Sequence, residues 1–425
     1  MTEHTTAKGR QPLQAKDVRC LGHLKRVFTL LDQLQDVGTG RDTAGNRRLF
    51  FGDYCKLVLL YVWNPLIDSL RVLQEALALE PVARALGVRR FSLGSFSEAP
   101  RAFDPEQLKP VIAELAAELR PMERDPRLRQ VKHAITLVDS TVLTALGRLA
   151  KAAAGAQARF STARDGRAVY GWRLHTQLEL DTFGPHRIDR TGARNAGANR
   201  EHNVLRAHLE PGRCYVDDGG YADASLFDDI VDAGSSYVTR IRADASFQVV
   251  EERLLSDAAL AAGVVRDAVV VLGDGRRRGR HAVRLVAVQV EPHERRTRRD
   301  PKKQSDLIPL ATSLIDLPAE LVAFVYQHRY TVELFFRVFK QLLGLRHLLS
   351  QRAEGIDIQV YCTAIVCLLI CLITGTRPTK SNRNMIGWYL IGLASEQDLL
   401  NHLNRPDNTG IKLRAKDELW KKLGY

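Results

Sequence analysis

Apolar residues recur at helical spacing through the first hundred or so positions, as in Leu24, Val27, Phe28 and Leu31, and again from Leu57 to Leu73. Side chains three and four apart share one helical face, so this pattern predicts helices from Leu21 to about Leu119. Within that span, residues 82–88 (VARALGV) and then 92–97 (SLGSFS) have the rhythm of a helix, a glycine turn and a second helix. Such a pair is either a DNA-reading helix-turn-helix or two packed helices of a bundle. The pattern changes at Pro121 to Pro126. Ala134 to Asp139 is a β-branched run ending in a carboxylate, and Val169 to Leu180 alternates apolar and polar positions as a half-buried strand does. Further strands are predicted near Ile188, from Arg213 to Asp218 and from Ser236 to Ile241. Helices are predicted at Arg200 to Leu209 and Ala222 to Ala233. Strands and helices in this order predict an α/β unit around a mixed sheet.

From residue 244 to about 304 this rhythm stops. Val264 to Leu272 and Ala282 to Val290 look like two strands around the basic tip Gly273 to Arg280, and a second basic run covers Arg295 to Arg299 with Lys302 and Lys303. A strand at Leu307 to Leu314 follows. Pro318 then opens what reads as one long helix to about Leu349, with an apolar helix at Asp357 to Thr374 behind it. The expected organisation is a disordered tail (1–20), a helical N-terminal domain that binds DNA (21–125), a first core segment (126–243), a β-rich basic insertion (244–304), a second core segment (305–375) and a basic C-terminal region (376–425). No internal repeat is visible.

Charge narrows the class. Lys and Arg number 62 against 49 Asp and Glu, a formal net charge of +13. So basic a chain suits a polyanionic partner, because each phosphate it neutralises releases counterions. The six cysteines include no C-x-x-C pair, and Cys362, Cys367 and Cys371 fall in one apolar stretch, where they read as small buried hydrophobes rather than a zinc site. Met1 to Ala15 lacks the apolar core of a signal peptide, and the most hydrophobic run, Ala364 to Thr374, is shorter than the roughly 20 residues a spanning helix needs. The expectation is therefore a cytoplasmic, nucleoid-associated bacterial protein with no membrane partner.

Candidate chemistry rests on three acids. Asp139 and Asp218 stand at predicted strand ends and Glu333 on the downstream helix. Short carboxylates at a sheet edge with a longer Glu reaching across form an oxygen donor set for hard divalent cations, two of which can serve an in-line phosphoryl displacement. Asp217, beside Asp218, is an alternative second acid. Tyr326, Arg329, Glu333 and Lys340 follow at steps of three, four and seven, which on one continuous helix puts all four on one side. Val332, Phe335, Phe336, Phe339, Leu342 and Leu343 would then take the core-facing stripe. His175, beside Arg173, is either a neighbour of the acids or a strand-surface histidine. Arg276, Arg277 and Arg278 are candidates for DNA contact or a solvated loop tip, and Trp172 reads as core.

The spacing Tyr326-x2-Arg329-x3-Glu333-x6-Lys340 resembles the signature of the insertion-sequence-four family transposases, a branch of the Asp-Asp-Glu transposases. The resemblance takes in residues 138–142 (VDSTV) around the first acid, 215–221 (YVDDGGY) around the second, and the strand 310–316 (LATSLID), and so extends over roughly Ile135 to Leu349. Where the family usually has Asp-Arg-Gly-Tyr, this chain has Asp218-Gly219-Gly220-Tyr221, and Tyr330 replaces the common Trp. The resemblance implies an α/β, ribonuclease-H-like catalytic core with a β-rich insertion before the Glu-bearing helix. It also implies cleavage at transposon inverted-repeat ends, strand transfer into target DNA, and a homodimer bridging two ends. Asp139, Asp218 and Glu333 would hold Mg²⁺, two ions in all, with Mn²⁺ able to substitute. Arg329 and Lys340 would contact phosphates, with Tyr326 in support. Alternatives within reach of the same residues are a nuclease of that fold without joining activity, or a non-mobile DNA-binding remnant. No aromatic RNA-recognition signature is present.

Overall fold

The computed structural model describes residues 21–405 except 44, 46, 65–66, 123–124, 146–158, 163–167, 193–194, 276–277, 291–305, 344–348, 351 and 391–392. The architecture is mixed α/β. Its centre is a ten-stranded sheet: β1 (Ala134–Ala145), β2 (Arg159–Thr162), β3 (Ala168–Glu179), β4 (Pro185–Gly192), β5 (Arg213–Asp217), β6 (Ser236–Arg240), β7 (Phe247–Glu252), β8 (Val264–Leu272), β9 (Val283–Val290) and β10 (Asp306–Thr312). The order across it is β2-β3-β1-β5-β6-β10-β9-β8-β7, with β4 also paired to β3. β1, β5 and β6 run parallel, and all other pairings are antiparallel.

β5, β6 and the part of β1 that pairs with β5 are apolar on both faces, as strands covered on both sides must be. On one face Ile135, Leu137, Cys214, Val216 and Val238 pack against helices; on the other Val138, Tyr215 and Tyr237 pack against Leu205, Leu226, Phe227 and Ile230. The N-terminal helices α1 (Leu21–Gln33), α2 (Phe51–Trp63), α3 (Leu70–Ala76), α4 (Glu80–Leu86), α5 (Leu93–Glu98) and α6 (Leu108–Ala117) belong to the first of these cores. On the second face lie α7 (Glu201–Arg206) and α8 (Ala224–Asp232), the latter opened by the Asp223 carboxylate accepting from the Leu226 N–H at 3.1 Å. In the segment expected as a β-rich insertion, β7, β8 and β9 continue the same sheet beyond β6 by way of β10. There the buried Arg284–Asp267 pair (2.6 Å) ties β8 to β9, and Arg284 also donates to the carbonyls of Ile315 and Leu317.

Two expectations are corrected. The helix opened by Pro318 is not continuous: α9 (Ala319–Gln327) ends in a 3-10 turn, His328–Tyr330, before α10 (Thr331–Leu343) begins. The local sequence has no Pro or Gly to mark that break, so periodicity runs straight through it. The apolar helix is also longer than expected: α11 (Ala353–Thr374) has 22 residues, long and apolar enough by length and composition to cross a membrane. It is 89% buried inside the protein and packs on α2 and α6, which explains why it is apolar all round. Cys362, Cys367 and Cys371 are buried on it, as packing residues would be.

Candidate active site

The strand register fixes where the acids stand. In the β1–β5 pair Ile135 lies beside Cys214 and Leu137 beside Val216, so the same register carried two residues on sets Asp139 beside Asp218. Both then point, by alternation, to the face covered by α9, α10 and α11. Asp217 points to the other face, where it is fully buried beside Thr239 of β6. Burial there, with Asp218 and Asp139 close by, holds its carboxyl well above the usual carboxylate range, Thr239 pulling the other way. Asp218 thus sits just past the carboxyl end of β5, where open α/β sheets place their ligands, whereas Asp139 beside it is not at a strand end as the sequence suggested: β1 runs on through it to Ala145, held by its pairing with β3.

Each acid has a local anchor. The Ser140 N–H donates to Asp139 Oδ1 at 2.7 Å, and the Gly220 N–H donates to Asp218 Oδ1 at 2.8 Å. Glu333 comes over from the first turn of α10, and Arg329, on the 3-10 turn, lies between: its Nη2 is 2.8 Å from Glu333 Oε1 and its Nη1 is 3.7 Å from Asp139 Oδ2. The Asp139 carboxyl is pushed up to about 7. Burial is the main cause, Asp218 and Glu333 add to it, and Arg329 and the Ser140 N–H oppose it. Burial works against the Arg329 charge, but Tyr326, Glu333 and Asp139 more than offset it and its pKa is raised. Lys340 is lowered by burial, with Asp139 opposing.

The break in the helix redistributes the four-residue signature. Tyr326 lies at the end of α9 and is buried with the apolar core, Arg329 is on the turn, and Glu333 and Lys340 share α10. Val332, Phe335, Phe336, Phe339, Leu342 and Leu343 are all buried, the stripe expected of them. The structure therefore brings Asp139, Asp218, Glu333, Arg329 and Lys340 to one face, Tyr326 behind them.

His175 goes elsewhere. It faces Ser140 across the β1–β3 pair and so points away from Asp139. It is buried, its Nε2 is 2.9 Å from Thr191 Oγ1, and burial together with Arg173 lowers its pKa to about 4, against Asp189. Its pocket, which is also lined by Arg187, Asp189, Glu201 and Tyr221, is on the second face. Arg278 is at the β8–β9 tip and donates to Gln248 of the outermost strand at 3.1 Å. Arg276, Arg277, the run 295–299 and Lys302 and Lys303 lie outside the described residues. Trp172 is core.

Pattern reasoning on single segments missed the group that lines the back of the site: Glu201, Arg173 and Ser140. They come from three separate elements, and only the strand order brings them together.

Among the described residues no three His, Cys, Asp or Glu side chains lie close enough to hold a metal ion, and Arg329 is paired with both Asp139 and Glu333. The donor chemistry nevertheless suits a hard cation: Asp218 and Glu333 lie near enough to Asp139 to add to the rise in its pKa, which burial causes in the main.

Residues 131–369 match the family described as transposase DDE domain, and with more than half of its length inside that match the chain belongs to this family. A curated relative, "Putative transposase y4zB" of Sinorhizobium fredii (strain NBRC 101917 / NGR234), is 26% identical over 251 residues, which cover 59% of this chain and 63% of that protein. The match thus spans under two thirds of the relative's length. Among solved structures, the cryo-EM structure of a piggyBac transposase synaptic complex with hairpin DNA matches with a TM-score of 0.39 at 11% identity, over 98% of this chain and 88% of that one.

Proposed function

We propose that the chain is a DNA transposase of the insertion-sequence-four type, which cleaves DNA at the inverted-repeat ends of its element and transfers the ends into target DNA. One observation carries the reading: Asp139, within β1, and Asp218, just past the end of the adjacent parallel strand β5, share one face, with Glu333 and Arg329 brought over them. The strand order β4-β3-β1-β5-β6, with β1, β5 and β6 parallel and β3 reversed, supports a ribonuclease-H-like core. On this reading Asp139, Asp218 and Glu333 hold Mg²⁺, two ions at most, with Mn²⁺ as a substitute. Such ions supply a nucleophilic oxygen at neutral pH and neutralise charge on the leaving oxygen.

The protein's own groups do the rest. Arg329 would be free to pair with a DNA phosphate if the carboxylates held a cation, and Lys340, about two turns beyond Glu333, offers a second contact. Tyr326, buried at the end of α9, helps to raise the Arg329 pKa and so to keep the guanidinium charged. Catalysis is then mostly positioning and electrostatics. The basic balance of the chain suits a DNA partner, and two ends must be held at once, which favours a homodimer. The domain limits expected from the sequence stand as part of this proposal, with DNA contact assigned to the helical N-terminal region and the basic tip. The test is Glu333→Gln: strand cleavage is lost while binding to end DNA stays within about two-fold. Equal loss of both would remove Glu333 from the chemistry.

A further inference from the structure

The acids have a back side as well as a front. Ser140 points to the face opposite Asp139, and there its hydroxyl hydrogen-bonds to Glu201 Oε1, the first residue of α7. Arg173 Nη1 donates to the same Oε1 at 2.5 Å and to Ser140 Oγ at 2.6 Å. The other carboxylate oxygen, Oε2, accepts from Asn195 Nδ2 at 3.1 Å, and the Glu201 N–H donates back to Asn195 Oδ1 at 3.0 Å. Glu201 and Arg173 are 14% and 12% exposed, so the pair is held and shielded rather than loose on the surface. Glu201 also reaches the second motif: a Cβ on Gly220 would lie 3.2 Å from Glu201 Oε2 and 3.0 Å from Asp218 Oδ1. A Cβ there would press on both carboxylates, each of which would have to give by a few tenths of an ångström.

One carboxylate therefore bonds to the residue that anchors Asp139 and lies close to the residue that anchors Asp218. Ser140 gives its N–H to Asp139, Gly220 gives its N–H to Asp218, and Glu201 bonds to the first and lies close to the second. We propose that Glu201 is a positioning residue that sets the spacing of Asp139 and Asp218 through Ser140 and Gly220, with Arg173 as its charge partner. A further carboxylate this close to the acids is electrostatically unfavourable unless paired, and Arg173 supplies the pairing charge. Groups that orient ligating carboxylates from behind typically matter ten- to a hundred-fold in ion affinity. A linkage that served only to hold β1 to β3 would leave ion affinity untouched. The inference rests on the reading of Asp139 and Asp218 as ion ligands.

The test is Mn²⁺ binding to the full chain, read by loss of the free-ion electron paramagnetic resonance signal, with thermal unfolding measured in parallel. Asp139→Ala is the control and loses binding. Glu201→Ala weakens binding about ten-fold or more, while the unfolding midpoint moves little. Ser140→Ala, which keeps the backbone N–H but cuts the link, weakens it in the same direction, and the double variant loses no more than Glu201→Ala alone. Wild-type Mn²⁺ affinity in Glu201→Ala, with binding lost in Asp139→Ala, overturns the positioning role and leaves the ion site standing. Wild-type affinity in Asp139→Ala overturns both. Should Glu201→Ala fail to fold, Ser140→Ala decides, and unchanged affinity there overturns the proposal.

Discussion

Asp139→Asn tests the electrostatics of the site without any DNA. The native Asp139 carboxyl titrates at about 7 instead of its ordinary 3.8 because burial, Asp218 and Glu333 oppose its ionisation. Folding therefore favours the protonated acid. Stability from this group is fully present below pH 3.8 and is lost as pH rises through about 7. At about 1.4 kcal/mol per pH unit the ceiling on that loss is about 4 kcal/mol. The attraction to Arg329 already enters that value, so Asn, which stands in for the protonated acid, gains at most about 4 kcal/mol on wild type by pH 7. In urea unfolding without divalent ions, Asp139→Asn gains on wild type as pH rises from 4 to 7, and the gap then levels off. Added Mg²⁺ at pH 8 narrows the gap by stabilising wild type only, since a bound ion does for the carboxylate what the proton did. A gap that stays constant from pH 4 to 8 refutes the assignment of Asp139 as a strained, charge-starved acid.

Three further outcomes follow from particular contacts. A Cβ on Gly52 would lie 2.6 Å from the Leu31 carbonyl oxygen, so Gly52→Ala forces α1 and α2 apart and costs about 1–3 kcal/mol in thermal unfolding. Asp267→Ala strands the buried Arg284 guanidinium and destabilises by about 3–5 kcal/mol in urea titration, much of it recovered when Arg284→Met is added. Lys340→Ala weakens binding to end DNA without changing sequence preference and reduces the salt dependence of binding by about one phosphate contact, measured by anisotropy titration across salt concentrations.

What the sequence disclosed and what it hid have a common cause. The strand Ser236–Arg240, the first half of β1 (Ala134 to Asp139) and the apolar stripe of α10 show because their side-chain pattern is local and is enforced by burial, whereas the run of β1 on to Ala145 did not show. The 3-10 turn at His328–Tyr330 leaves no such trace: it carries neither Pro nor Gly, and a helical period fits across it, so Tyr326 was expected on a face it does not share with Glu333. β7 was also missed; its side chains are mostly exposed, with Val249 and Val250 following each other out to solvent, so there is no alternation to read. His175 could not be assigned to a face until its pairing with Ser140 was known, because a strand's register is a tertiary fact. Glu201 was hidden for the same reason. It opens a helix of six residues, and its importance lies in the strand order that brings β1, β3 and the loop after β5 to it.

The most direct measurement is Mg²⁺-dependent cleavage and strand transfer on the inverted-repeat DNA flanking the element, comparing wild type with Asp139→Ala, Asp218→Ala, Glu333→Ala and Asp217→Asn. The account predicts both reactions in wild type, neither in the three alanine variants although they bind the ends, and cleavage retained in Asp217→Asn, whose side chain lies on the other face. Cleavage that survives Asp218→Ala but not Asp217→Asn, or end binding by wild type with no cleavage in either Mg²⁺ or Mn²⁺, would contradict it.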